Sequence, residues 1–221
     1  MNRLFIVIAL LVAACQPPPQ ALRAGYTPEE LRAYYMAEGD RLEEATKNVR
    51  KAYTFEAFIA NPEYRHTRDM WRGAALNEYA PANSYVEVLL EEQRGRLYIN
   101  GSIAMDFPIC SGRFGGQETP RGSFRISQKV KEYRSNRYGS FMSLDGSKVV
   151  ERNVSADDVP PEGAVFEGAD MPYWMRFNGA IGLHVGEVHR YSQSHGCVRV
   201  PEEACSILFE KLAVGSRVIV K

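Results

Sequence analysis

The spacing of apolar residues changes character near residue 84. Upstream of that point, between Gly25 and Pro81, they recur at helical intervals. Leu31, Tyr34, Tyr35, Leu42, Ala45 and Val49 fall near one stripe, with Glu, Lys and Arg between them. Thr27-Pro28-Glu29-Glu30 supplies an N-cap residue, a proline at the first helical position and the glutamate of a capping box, so a helix should start there. Gly39 is the weak point of that helix. Further helical stretches are expected from Tyr53 to Ile59 and from Arg68 to Tyr79, divided by Asn61-Pro62. Such a stripe either packs on the rest of the chain or meets a partner, and packing is its ordinary use.

From Ser84 the period becomes two. Tyr85 to Leu90 and Arg96 to Ile99 read as strands separated by a Gln93-Arg94-Gly95 turn, and Asn100-Gly101 marks a tight hairpin into a strand from Ser102 to Cys110. Asp145-Gly146 marks another turn before Lys148-Val149-Val150. Pro201-Glu202-Glu203 opens a helix to Leu212, Gly215 terminates it, and Arg217 to Lys221 is a closing strand. Short strands with frequent glycine turns predict a mainly β fold. The expected form is an antiparallel β-sandwich-like domain over 84–221 behind an α-helical N-terminal region over 25–83.

Ahead of both, Arg3 precedes an apolar run from Leu4 to Ala14 that is too short to span a bilayer and ends in the small residues Ala13-Ala14 before Cys15. Residues 1–14 read as a secretion signal. Gln16-Pro17-Pro18-Pro19-Gln20 disfavours helix, so 15–24 reads as a proline-rich tether. Charge adds an exclusion. Lys plus Arg and Asp plus Glu number 27 each, so no strong field recruits nucleic acid or anionic lipid.

Candidate chemistry is concentrated in one run, Ser194-His195-Gly196-Cys197-Val198-Arg199, preceded by His184 in Ile181-Gly182-Leu183-His184. A thiol attacks a carbonyl only as thiolate, and at an ordinary pKa roughly 3% is ionised at pH 7. A nearby imidazolium raises that fraction by its charge, and a neutral imidazole does so by accepting the proton. Gly196, with no Cβ beside the nucleophile, lets a substrate approach closely. A lone cysteine is more often a small buried hydrophobe, but two His, a Gly and polar neighbours reverse that reading. A metal site is the sharper rival, since His184, His189, His195 and Cys197 are all zinc-competent. The chain has no Cys-x-x-Cys pair and no His-Glu-x-x-His, so neither a metal nor another cofactor is expected. A papain-like protease lacks its signature here, and the His precedes the Cys.

These residues resemble the L,D-transpeptidase (YkuD) catalytic domain family. In that family a His is followed, after a loop, by Ser or Thr, then His-Gly-Cys, a hydrophobic residue and Asn or Arg. Here the positions are His184, Ser194, His195, Gly196, Cys197, Val198 and Arg199. Gly112 and Glu118-Thr119-Pro120-Arg121-Gly122-Ser123-Phe124-Arg125-Ile126 resemble the family's Thr-Pro-x-Gly-x-Phe-x-Ile hairpin. Met171-Pro172-Tyr173-Trp174-Met175-Arg176-Phe177 resembles a segment of a short-loop Met-Pro-Tyr branch, consistent with only nine residues between His184 and Ser194. The segment ending at Cys15 resembles a bacterial lipobox, which implies cleavage before Cys15 and its lipidation. The rival is an ordinary signal peptide with an incidental Cys. Gln16 after that Cys resembles lipoproteins sent to the outer membrane where a host has two, which implies an exported protein of the cell envelope facing the periplasm.

The resemblance implies a transpeptidase acting on peptidoglycan stem peptides. Cys197 would attack the third residue's carbonyl, release D-alanine and hold a thioester, which an amine on another stem peptide then resolves. It implies that His184 is the base, oriented by the Val185 carbonyl, and that His195 stands across the site with Ser194 in support. The amides of His195, Gly196 and Cys197 would form an oxyanion hole. Arg199 would hold a substrate carboxylate or brace the loop, with bracing favoured. Tyr173, Trp174 and Tyr191 would wall the peptide groove, if they are not core. Water in place of the amine gives a carboxypeptidase or amidase, a protein lysine gives a protein acceptor, and a lipoprotein that binds wall peptide without turnover is the reading of another class. Cys110 and Cys205 either pair or lie apart as buried thiols.

Overall fold

The computed structural model describes residues 28–52, 54–189 and 191–221. The secretion signal, Cys15, the tether, Thr27 and the helix start at Tyr53 lie outside the described residues. The chain divides into two compact units, one ending at Ala60 and one running from Asn61 to Lys221.

In the first unit, helix α1 (Pro28–Ala52) runs unbroken through Gly39. A glycine there weakens a helix by about 1 kcal/mol, which 25 residues can absorb. Helix α2 (Phe55–Ile59) is capped by Thr54, whose side chain accepts the Ala57 N–H at 3.2 Å.

The helix expected over Arg68–Tyr79 does not form. Strand β1 (Trp71–Arg72) and a 3-10 turn (Ala74–Asn77) occupy that stretch. Gly73 explains the change. It is extended, and a Cβ on it would lie 2.4 Å from the Trp71 indole and 2.9 Å from the Ile103 carbonyl oxygen. Close approach to a neighbouring strand has overridden the helical spacing.

Two sheets and helix α3 (Glu202–Lys211) build the body of the second unit. The first sheet contains β1, β2 (Ser84–Leu89), β3 (Arg94–Ile99), β4 (Ser102–Pro108), β5 (Gly122–Arg125) and β13 (Arg217–Val220), in the order β1-β4-β3-β2-β13-β5. The second contains β6 (Gln128–Val130), β10 (Trp174–Asn178), β11 (Ile181–Val185) and β12 (Val198–Val200), in the order β12-β11-β10-β6. The fold is mainly β and mostly antiparallel, as expected, with parallel pairings at β2/β13 and β11/β12. One core joins both sheets to α3. Val86, Leu97, Phe107, Met175, Leu183 and Leu208 meet in it with almost no exposure, each contributing roughly 1.5–3 kcal/mol by burial.

The turn between β2 and β3 sits at residues 90–93, so Arg94 belongs to the strand and not to the expected turn. Its guanidinium is fully buried and pairs with Asp106, also fully buried, at 2.7 Å. Arg96 and the Tyr64 hydroxyl complete the Asp106 shell at 2.9 and 2.7 Å, while Arg94 donates to the Thr67 and Asp69 carbonyls. Burial and the charge of Asp106 push the Tyr64 hydroxyl up to about 12. This network straps residues 64–69 onto β3 and β4. Every member is hydrogen-bonded, which is the condition under which a buried ion pair is tolerated.

A third sheet, in the order β8-β7-β9, stands apart with its own small core of Phe141, Val154, Ala164 and Phe166. Its strands are β7 (Arg134–Ser143), β8 (Val149–Ser155) and β9 (Ala164–Asp170). The expected turn at Asp145-Gly146 and the strand at Val149 are parts of this arm.

Candidate active site

The parallel pairing of β11 with β12 aligns His184 with Arg199 and Leu183 with Val198. Side chains alternate across a strand, so Leu183 and Val198 enter the core while His184 and Arg199 share the opposite face. Cys197 lies two residues before Arg199 and falls on that same face. All three line one cavity of about 520 Å³, together with His195 and Ser194.

Gly182 lets the Trp174 indole pack closely on β11: a Cβ there would lie 2.6 Å from the indole and 2.7 Å from the Met175 carbonyl. The Cys197 thiol reaches the Ala180 carbonyl at 3.8 Å.

His184 is 8% exposed, and its Nδ1 lies 2.7 Å from the Val185 carbonyl oxygen. A carbonyl only accepts, so Nδ1 carries the proton and Nε2 keeps its lone pair. Burial pulls the His184 pKa down to about 4; the bond to Val185 opposes this and the Arg199 charge adds to it. Burial also raises the Cys197 thiol, against the Gly182 N–H, Arg199 and Arg176. Both shifts favour the uncharged forms, thiol and imidazole, and an imidazole with its lone pair at Nε2 is the form that can accept a proton.

The loop carrying Cys197 is held from below. The buried Ser194 hydroxyl accepts the Gly196 N–H at 3.1 Å and donates to the Cys197 carbonyl. Gly196 adopts φ +113°, which L side chains rarely reach. This corrects the expected oxyanion hole. The Gly196 amide is committed to Ser194, leaving the His195 and Cys197 N–H groups without a hydrogen bond among the described residues. His195 is half-buried and its ring stacks on Tyr138, centroids 4.4 Å apart and planes 16° apart. Its pKa is lowered by burial and by Arg113 and Arg199.

Of the three aromatics expected in the groove, only Trp174 lines this cavity. It is 1% exposed, stacks on Tyr133 and stands 6.1 Å from His184. Tyr173 has a positive φ of 56°, which turns its ring onto Phe209 of α3. Tyr191 is 60% exposed and lines a neighbouring groove with Ser111 and Phe114. Arg199 lines the cavity and packs its stem beside Gly186.

Cys110 and Cys205 are separate buried thiols, and burial pushes Cys205 up to about 12. His189 lies outside the cavity, beside Glu187 and Tyr191. Among the described residues no group of three or more His, Cys, Asp or Glu is placed to hold a metal ion.

Three contributions had not been singled out from the sequence. Thr119, quoted only as part of a motif, binds the Gly196 carbonyl. Tyr138 covers His195. Arg137 and Arg152 form part of the cavity wall on the arm. No local motif marks the last three residues.

Residues 83–220 match the family model described as the L,D-transpeptidase catalytic domain (YkuD). No curated protein sequence matches the chain. Solved structures similar to it include an L,D-transpeptidase from Stackebrandtia nassauensis, at 22% identity and TM-score 0.46, covering 65% of this chain and 58% of that one. An L,D-transpeptidase from Mycobacterium smegmatis aligns at 16% identity and TM-score 0.47, over 63% of this chain and 58% of that one. The catalytic domain of an Enterococcus faecium L,D-transpeptidase aligns at 22% identity and TM-score 0.43, over 71% of this chain and 99% of that domain. The chain thus spans less than two thirds of the first two structures.

Proposed function

This chain belongs to the L,D-transpeptidase catalytic domain family, and from that premise we propose that it is a cysteine-dependent peptidoglycan L,D-transpeptidase. The observation that carries the reading is the parallel register of β11 and β12, which sets a buried His184 with a free Nε2 on the same cavity face as Cys197.

In the first half-reaction the Cys197 sulfur attacks the carbonyl of the third stem-peptide residue as its proton passes to Nε2 of His184. The Val185 carbonyl steadies the imidazolium that forms, through Nδ1. Charge developing on the carbonyl oxygen is met by the His195 and Cys197 N–H groups. Collapse of the adduct breaks the peptide bond, and His184 returns the proton to the departing D-alanine amine. A thioester remains on Cys197. An amine from a second stem peptide then attacks it, giving up a proton to His184, and the thiol leaves protonated once more. The products are one cross-linked peptide and one D-alanine.

Arg3, the apolar run to Ala14 and the small residues before Cys15 support a companion reading. The mature protein is a lipoprotein anchored through Cys15 in the cell envelope, facing the periplasm where the host has two membranes.

The test is to incubate the soluble protein, from Ala21 onward, with purified wall tetrapeptide fragments, with Cys197→Ala as control, and to weigh the products. A dimer lighter than two tetrapeptides by one alanine is expected. Tripeptide alone would move the assignment to a carboxypeptidase, and no change in either sample would leave a wall-peptide binder.

A further inference from the structure

The cavity over Cys197 has a wall that the reaction above does not use. It comes from the β7–β9 arm and presents Arg137 and Arg152. Arg152 stands opposite Ser140 across the β7/β8 ladder, and Arg137 adjoins Tyr138, the ring stacked on His195. Arg176 and Arg199 line the same space.

None of these four guanidinium groups is ion-paired with a carboxylate among the described residues. Arg176 is used by the Gln128 side chain, the Gly179 carbonyl and the Tyr133 hydroxyl. Two acids also line the cavity. Asp170 is held by Arg134 at 2.9 Å, and Glu187 faces His189 at 3.7 Å. An imidazole neutralises a carboxylate only when protonated, so Glu187 counts against the four guanidinium groups, and the charge around Cys197 is still positive although the whole chain sums to zero. Cations gathered round one partly enclosed space repel one another until an anion enters, and a guanidinium fork matches a carboxylate in geometry as well as charge.

We infer that Arg137 and Arg152 form a carboxylate-binding subsite on the arm, opposite the nucleophile, which selects acyl donors carrying a free carboxylate. The identity of the donor as a wall peptide rests on the function proposed above. The subsite rests on the charge of the cavity.

Two alkylating agents separate these claims. Iodoacetate and iodoacetamide react alike, the Cys197 sulfur displacing iodide to form an S–CH2 bond, but only the first carries a carboxylate. Their rates at Cys197 are read by mass of the modified peptide and normalised to a small free thiol. The iodoacetate to iodoacetamide ratio is expected to fall about tenfold in R137Q/R152Q, the loss of about 1.4 kcal/mol of preference for the anion. Lys148→Gln, on the same arm but outside the cavity lining, should leave the ratio unchanged. An unchanged ratio in the double variant, or an equal fall in Lys148→Gln, would overturn the subsite. Neither rate depends on peptide turnover, so failure of the transpeptidase assay and failure of the subsite remain distinct results.

Discussion

The Thr119 hydroxyl donates to the Gly196 carbonyl at 2.8 Å and accepts the Gly112 N–H at 2.9 Å. One buried side chain thus joins the Cys197 loop to the segment ahead of β5. Gly112 fits there only as glycine, because a Cβ would lie 2.0 Å from the Gln117 carbonyl oxygen.

Thr119→Val keeps the shape and removes the hydroxyl, leaving a buried N–H and a buried carbonyl unpaired. A loss of roughly 2 kcal/mol or more is expected in urea unfolding, with a lower turnover number. Thr119→Ser should recover both. A valine variant equal to the parent in stability and turnover would show that the bridge does not hold the loop.

Because burial raises the Cys197 thiol above its ordinary value and His184 is neutral, alkylation by iodoacetamide should climb with pH through a midpoint above that of a small free thiol measured alongside it. A rate already level from pH 5 upward would instead reveal a standing thiolate–imidazolium pair.

His184 also ties stability to pH. Its folded pKa of about 4 lies below the ordinary 6.5, so between those values the unfolded chain binds a proton that the folded protein refuses. Stability is complete above pH 6.5 and is lost as pH falls toward 4, by roughly 3 kcal/mol at most. In His184→Gln this part of the slope should vanish from urea melts taken between pH 4 and 7. A slope identical to the parent's would mean that other groups carry it.

Asp106→Asn leaves the Arg94 guanidinium buried without its counter-charge, and a loss of roughly 3–5 kcal/mol is expected. The double replacement R94M/D106L should recover much of it, since apolar side chains can stand in for a buried pair. If the single variant melts with the parent, the strap over residues 64–69 contributes little.

The reactive run was legible because its chemistry demands particular residue types close together, and His184 and Cys197 do line one cavity. Strands β2 to β4 were legible from their alternation. The arm was not. Against β7, strand β8 carries two extra residues, Asn153 and Val150, which break the period that announces a strand, and the arm's core holds only a few side chains. Arg94 read as a turn residue because charge normally stays in water; only the distant Asp106 makes its burial tolerable. Tyr173 read as a groove residue because nothing in a tyrosine's identity discloses a positive φ.

Since β11 and β12 run in the same direction, the chain must leave the sheet after Val185 and travel back before it can enter again at Val198. The Gly186 N–H bond to the Val200 carbonyl, at 3.1 Å, pins the point of departure to the returning strand. The length of the excursion is therefore uncoupled from the alignment of β11 with β12. Residues can be gained or lost between Glu187 and Gln193 while His184 and Cys197 keep facing one cavity. In such an architecture the guest list at the cavity mouth can be rewritten by insertion and deletion, leaving the reaction itself untouched.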